Sequence, residues 1–325
     1  MASEGTATVL VCTRNRPESL ERTLRSILAD RSTVERDLVV VDNGPSEEAA
    51  AAVERIRREA PFPVRYAVEP RVGVSHARNL AARLAGGELL LWTDDDVLVA
   101  DGWADALAAV FADPRVAGAG GRILPRWPAP PPAWMDGPHA VTLTLPDFGP
   151  EPRVLGGDAL PVGANMAIRA AVARRFEQPF RQDLGLLGPT GKRRMGFEEV
   201  ALFSRFEPGE LIAYAPDAVV HHCIESTRVD WDSMRVAWFQ GGFGLARWER
   251  LRGEPVPSVP RLAVRTLRTV RGALAIRRAN GRLAEPTAAD AWREFHAYMW
   301  AGKHLELLLG RFPRLADRVA DAVAR

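Results

Sequence analysis

Two cysteines in 325 residues cannot build a disulfide framework: Cys12 sits inside an apolar run and Cys223 follows His221 and His222. A reducing compartment is therefore expected, and the cytoplasm fits. No run approaches the roughly 18 uninterrupted apolar residues that a spanning helix needs. No basic segment leads into a long apolar one at the start of the sequence, so secretion is not expected either. Neither Gly-x-Gly-x-x-Gly nor a Walker-type loop follows the first apolar run, which removes the usual dinucleotide turn and the P-loop. A nucleotide, if bound, is held in another way. The 43 basic and 41 acidic residues leave a formal net charge of +2, which implies no wholesale attraction to nucleic acid.

What is present is a strongly periodic first half. Val9-Leu10-Val11-Cys12 reads as a strand, and Thr13-Arg14-Asn15-Arg16 as the turn after it. Pro17 then opens a helix with Leu20, Leu24, Ile27 and Leu28 at helical spacing, ending near Asp30. Leu38 to Val41 form a second strand ending in the loop Asp42-Asn43-Gly44-Pro45, and Ser46 caps a helix carrying Val53 and Ile56. Val64 to Val68 make a third strand, Ser75 caps a third helix, and Gly86-Gly87 end it before a fourth strand at Leu89. Alternation of this kind predicts an α/β fold with a mostly parallel central sheet and helices on both faces. All four strand ends then meet at one edge, so Thr13, Asp42 and Asp94 to Asp96 converge there, where open α/β sheets bind ligands.

Asp94-Asp95-Asp96 is the stretch around which the rest is organised. Three adjacent carboxylates repel one another and resist desolvation, and a divalent cation on a diphosphate would compensate them. The simpler reading is that they open a turn or cap the next helix. Trp103, Leu107, Val110 and Phe111 mark a helix beyond, and Val116 to Gly121 a short strand. From Pro125 to Pro152 nine prolines, with Trp127 and Trp134 among them, predict an extended surface excursion whose tryptophans serve as packing anchors or as an acceptor wall. Leu160 to Ala164 read as a returning strand.

Between Arg181 and Gly196 a glycine-rich loop carries Lys192, Arg193 and Arg194, either a solvated loop or a cationic lid. Glu198 and Glu199 open a helix, a position the dipole favours without any chemistry. Leu211 to Tyr214 and Ala218 to Val220 are short strands, and His221-His222 at the end of the second are structural or metal ligands. From Trp231 onward the chain reads as helices, interrupted at Pro255 to Pro260. Domains are expected at 1–230 and 231–325. Seven arginines between Arg261 and Arg282 interleave with apolar residues, giving either an arginine-fringed bundle face or a helix for an anionic membrane surface.

In order and spacing these segments resemble an inverting family-2 glycosyltransferase of the GT-A fold. The resemblance rests on Val9 to Pro17, Val39 to Gly44, Gly73 to Asn79, Gly87-Glu88 through Asp94-Asp95-Asp96, Gly163 to Arg169 and Gly196 to Leu202, and covers roughly residues 7 to 225. It implies a metal-dependent enzyme that moves a sugar from a nucleotide-sugar donor, UDP by family habit, to an acceptor hydroxyl of a glycan, lipid-linked sugar or small natural product. Thr13, Arg14, Asn15 and Asp42 would border base and ribose, with Arg78 and Asn79 nearby and Asp94 and Asp95 toward the diphosphate. Asp94, Asp96 and His222 would hold Mn2+ or Mg2+. The family usually has Glu-Asp where this chain has Glu198-Glu199, so the catalytic base falls to Glu199, one methylene longer, with Glu198 beside it.

Those residue types suit the chemistry. Displacing a nucleoside diphosphate from an anomeric carbon builds negative charge on the leaving oxygen, which a metal and cationic side chains stabilise while a carboxylate deprotonates the acceptor. A sugar nucleotidyltransferase is the competing enzyme, and would release pyrophosphate from a nucleoside triphosphate and a sugar 1-phosphate. A degenerate nucleotide-sugar-binding module is the competing non-enzyme, against which the retained Asp94, Asp96 and Glu199 weigh.

Overall fold

The computed structural model describes residues 6–187, 193–194, 196–283 and 285–312. They divide into two compact units.

The first unit opens with β1 (Ala7–Thr13), α1 (Pro17–Ala29), β2 (Arg36–Asp42), α2 (Glu47–Glu59), β3 (Val64–Val68), α3 (Val74–Leu84) and β4 (Leu89–Asp94). Pro17 starts α1 at a position whose N–H has no helical partner to lose, and Leu20, Leu24 and Ile27 are fully buried below it. Ser46 Oγ accepts from the Ala49 N–H at 3.1 Å, the expected cap of α2. The start of α3 differs from expectation. Gly73 is its N-cap, with φ 144°, and Ser75 is buried in its first turn. The Gly73 N–H is drawn to Asn43 Oδ1 at 2.7 Å, a backbone path that favours glycine.

β5 (Val97–Val99), α4 (Trp103–Ala109), β6 (Val116–Arg126), β7 (Arg153–Leu155), β8 (Met166–Arg169), α5 (Ala170–Ala173), α6 (Glu198–Phe203) and β11 (Leu211–Cys223) complete this unit. The sheet order is β3-β2-β1-β4-β8-β6-β11-β5, with β7 also on β11. The first four strands in that order are parallel, whereas β8 runs antiparallel to both β4 and β6. Side-chain alternation divides the core between the two faces. Val9, Val11, Leu38 and Val40 pack with α1 and α2, while Leu10, Val39, Val41 and Trp92 pack with α3 and Phe180.

Three elements depart from the sequence reading. The returning strand is Met166–Arg169, because the buried Asn165 fixes the turn before it: its amide donates to Arg122 O at 3.1 Å and Ala218 O at 2.7 Å, and its Oδ1 accepts from Trp103 Nε1 at 2.9 Å. The two strands expected near Tyr214 and Val220 are one, β11, whose register against β6 shifts between Ala215 and Val219, so Pro216, Asp217 and Ala218 are absorbed as an irregularity. β6 runs on to Arg126. Its pairing with β8 stops at Gly120, so Pro125 lies where only β11 needs ladder bonds.

The second unit comprises Trp127–Leu143, Asp183–Phe197 and Ile224–Arg325. It holds the short antiparallel pair β9 (Leu186–Leu187) and β10 (Arg193–Arg194), then α7 (Trp231–Leu251), α8 (Val259–Asn280) and α9 (Ala288–Leu309). Trp134 of the proline-rich segment packs edge-on against Trp231, with ring centroids 4.8 Å apart, so it is a packing anchor. Helices α7 and α9 cross at two glycines: a Cβ on Gly302 would stand 2.0 Å from Phe239 O, and one on Gly242 2.1 Å from Met299 O. Arg235–Glu294 at 2.5 Å and Arg247–Glu306 at 2.8 Å tie the same pair of helices. Among the described residues no helix is long and apolar enough to cross a membrane.

Candidate active site

Strand register builds one end of the site. Thr13 pairs with Asp42 and Cys12 with Asp94, so the carboxyl ends of β1, β2 and β4 lie level. Asp95 and Asp96 follow in the turn before β5. Because β5 pairs antiparallel with β11, His222 falls opposite Val97, and the Cys223 N–H donates to Asp96 O at 2.8 Å. His222 Nε2 thereby comes within 3.3 Å of Asp96 Oδ1.

The three carboxylates have different partners. Asp94 Oδ1 lies 3.4 Å from Arg78 Nη2. Asp95 accepts from Thr13 Oγ1 at 2.7 Å and from Arg16 Nη1 at 3.3 Å, and the same guanidinium donates to Asp96 at 2.9 Å. Burial pushes the Asp95 carboxyl up to about 7, helped by the charge of Asp96 and opposed by Arg16 and the Thr13 hydroxyl. Asp94 is also raised, by burial first, with Arg78 opposing and Asp96 adding.

A second cluster forms around Arg78, which α3 carries in as a buried side chain. Its Nη1 donates to Glu199 Oε1 at 2.8 Å and to Glu198 Oε1 at 3.1 Å. Burial alone would lower the pKa of this guanidinium, yet the charges of Glu199, Glu198 and Asp94 raise it overall. Glu199 Oε1 also accepts from the Gly163 N–H at 3.0 Å. Gly163 has no room for a side chain, since a Cβ there would stand 1.8 Å from Arg78 Nη2. The two glutamates differ in surroundings. Glu198 Oε2 is buried with no hydrogen-bond partner among the described residues, and burial, reinforced by the Glu199 charge, pushes the Glu198 carboxyl up to about 8.

Residues expected near a base and ribose line the adjoining edge. Asn15 is exposed with φ 55°, and Arg14 and Asn15 crowd Gly44, where a Cβ would stand 2.7 Å from Asn15 Oδ1. Asp42 is fully buried; it accepts from the Gly44 N–H at 2.9 Å and the Tyr66 hydroxyl at 2.8 Å, and so shapes this loop. Asn79 is also enclosed, exchanging hydrogen bonds with the Phe180 backbone at 2.7 and 2.9 Å.

Among the described residues no three His, Cys, Asp or Glu side chains stand in a chelating array. Of the three expected metal ligands, Asp96 and His222 adjoin while Asp94 faces Arg78. Lys192 of the glycine-rich loop lies outside the described residues, and Arg193 and Arg194 form β10. Sequence reading missed Arg16, Tyr66 and Gly163 as site residues. For Gly163 a signal existed: a glycine within an apolar run marks close approach of another group. Nothing local distinguished Arg16 from its neighbour Arg14.

Residues 8–175 match the model of glycosyl transferase family 2. The chain is 29% identical over 237 residues to the succinoglycan biosynthesis protein ExoM of Rhizobium meliloti, covering 71% of each chain. It is 25% identical over 248 residues to the glucosyl-dolichyl phosphate glucuronosyltransferase of Haloferax volcanii, covering 71% of this chain and 74% of that one. In fold it is similar to the mannosyltransferase PcManGT of Pyrobaculum calidifontis, solved with GDP-Man and Mn2+, with a TM-score of 0.53 at 20% identity over 98% of this chain and 78% of the other. With a GT-A-like sheet and a family match across more than half its length, the chain belongs to glycosyl transferase family 2 and is a glycosyltransferase.

Proposed function

We propose that this glycosyltransferase moves a sugar from a nucleoside diphosphate donor to an acceptor hydroxyl by a single, inverting displacement, with Glu199 as general base. The observation that carries the reading is the placement of Glu199. Arg78 and the Gly163 N–H hold one of its oxygens, and through Arg78 it is linked to Asp94 on the edge where a diphosphate would lie. A carboxylate pinned by one oxygen is held in a fixed orientation, which suits a general base. The acceptor oxygen attacks the anomeric carbon and Glu199 takes its proton. The bond to the diphosphate breaks, and its electron pair leaves on the phosphate oxygen. Glu198, raised to about 8, is proposed to hold a proton near neutral pH and to support its neighbour.

The carboxylate and imidazole donors of Asp94, Asp96 and His222 fit Mn2+ or Mg2+, and burial that raises the Asp94 and Asp95 carboxyls marks a cluster that a dication would relieve. When bound, such an ion would neutralise charge developing on the departing diphosphate. Thr13 and Arg16 fix Asp95 and Asp96 until then. Arg14 and Asn15 are proposed to meet the nucleoside across a loop shaped by Asp42, with Asn79 holding the wall behind it. Uridine is the proposed base, although the similar mannosyltransferase was solved with GDP-Man; both donors present the same diphosphate. A lipid-linked or glycan acceptor is in keeping with the names of the Haloferax and Rhizobium relatives. A cytoplasmic site is in keeping with the unpaired Cys12 and Cys223.

Calorimetry of UDP and GDP binding, with and without Mn2+, tests the reading. Metal-dependent binding is expected in the wild type and lost in Asp96→Ala, which removes a carboxylate that no neighbour replaces. Unchanged metal-dependent binding in that variant would remove Asp96 from the site.

A further inference from the structure

Helix α8 has one line of residues seated in the second unit: Leu262, Thr266, Ala273 and Asn280 are buried. Asn280 at its end donates to Glu294 Oε2 at 2.7 Å and to Asp290 O at 3.2 Å on α9. Were the helix only a bundle face, its remaining large apolar residues would sit near that line. Val270 and Ile276 flank it and are half-buried, but on the opposite side Val264 is 60% exposed, Leu267 52% and Leu274 43%. At 3.6 residues per turn these three occupy one outward stripe, with Arg271 and Arg278 within it and Arg261 and Arg268 on its flank. All six arginines of α8 are exposed, and no acidic residue occurs between Val259 and Asn280.

A solvated helix face normally mixes both signs at i, i+4 spacing. A nucleic-acid face would need the arginines without the leucines. An anionic bilayer meets both features at once, because aliphatic side chains enter the acyl boundary while arginines reach back to lipid phosphates. A second element points the same way. On α9, Trp292, His296, Trp300 and His304 form a ring-to-ring stripe with centroid separations of 5.0, 6.0 and 5.8 Å. Both tryptophans remain 37% exposed. Half-exposed tryptophans are side chains that a membrane–water interface favours.

We propose that α8 is an interfacial helix that seats this enzyme on an anionic phospholipid surface. Together with the transferase reading, on which this consequence rests, it assigns a membrane-borne acceptor. The test uses the full chain and vesicles of phosphatidylcholine alone or mixed with phosphatidylglycerol, with no donor present. Sedimentation with the anionic vesicles only is expected, together with a blue shift of tryptophan emission. Replacing Arg268, Arg271 and Arg278 by Gln should weaken partitioning by about 100-fold, roughly fivefold per arginine. Replacing Val264, Leu267 and Leu274 by Gln should bring it to background. Both triple variants change exposed positions only, so melting temperature and nucleoside diphosphate binding without vesicles should match the wild type; if neither UDP nor GDP binds any of the three proteins, the proposed donor reading fails instead. The inference is overturned if the wild type does not sediment with anionic vesicles, or binds neutral ones equally. It is also overturned if the apolar variant keeps full binding while the arginine variant loses it, which would make α8 a general polyanion patch.

Discussion

Arg78 Nη1 lies 2.8 Å from Glu199 Oε1, and through that contact α3, buried in the first unit, orients a carboxylate at the start of α6. The same guanidinium reaches Glu198 at 3.1 Å and Asp94 at 3.4 Å, so one buried cation serves three acids from two parts of the chain. Its removal leaves one buried carboxyl, Glu198, and two half-buried ones, Asp94 and Glu199, without their shared counterion. Arg78→Met is expected to lose about 3–5 kcal/mol of stability, the usual penalty for breaking a buried ion pair from one side. Urea denaturation measures this. A loss under about 1 kcal/mol would mean that the cluster is solvated and that Arg78 does not organise it.

Glu198 gives a pH signature. Burial and the charge of Glu199 raise its carboxyl to about 8 in the folded protein, against an ordinary value near 4.5. A raised folded pKa means that the native state binds the proton more tightly than the unfolded chain. The contribution to stability is then complete below about pH 4.5 and is lost as the pH rises through about 8. Glu198→Gln, permanently neutral, should flatten this slope. Urea midpoints at about pH 5 and about pH 8.5 are expected to show the variant gaining on the wild type at the higher pH. Parallel pH profiles would show that Glu198 carries no raised pKa.

The crossing of α7 and α9 makes a prediction outside the site. A Cβ at residue 302 would meet the Phe239 carbonyl oxygen at 2.0 Å, and a backbone atom cannot swing aside as a flexible side chain can. Gly302→Ala should therefore destabilise the helical unit by about 1–3 kcal/mol despite the better helix propensity of alanine. Gly241→Ala, where a Cβ meets nothing within 4 Å, is the matched control and should be neutral or slightly stabilising. Equal melting temperatures for the two variants would refute the close crossing.

Much of the first unit was legible because its signals are local. Alternating strand and helix periods placed β1 to β4, and the register that follows from them brought Thr13, Asp42 and Asp94 level. The carboxylate cluster could be anticipated from strand ends, and the resemblance implied its approach to His222, although the sequence did not show that the strand His222 closes is the long β11. What sequence could not reveal depends on distant pairing. Asn165 displaces a strand by binding carbonyls of Arg122 and Ala218. Arg16 joins the site only because the turn after β4 folds over the start of α1. The apolar residues of α8 were visible as interleaved with arginines, but which of them face outward is decided by Leu262, Thr266, Ala273 and Asn280 packing inward.

The central claim is that Glu199 accepts the proton of the acceptor hydroxyl. Glu199→Gln keeps the size of the side chain and its contacts with Arg78 and the Gly163 N–H in reach, while removing its basicity. Initial rates of sugar transfer, measured beside calorimetric donor affinity, are expected to fall by about 10² to 10⁴ with donor binding nearly intact. Glu198→Gln should do less in the same assay. Full transfer activity in Glu199→Gln would contradict the account.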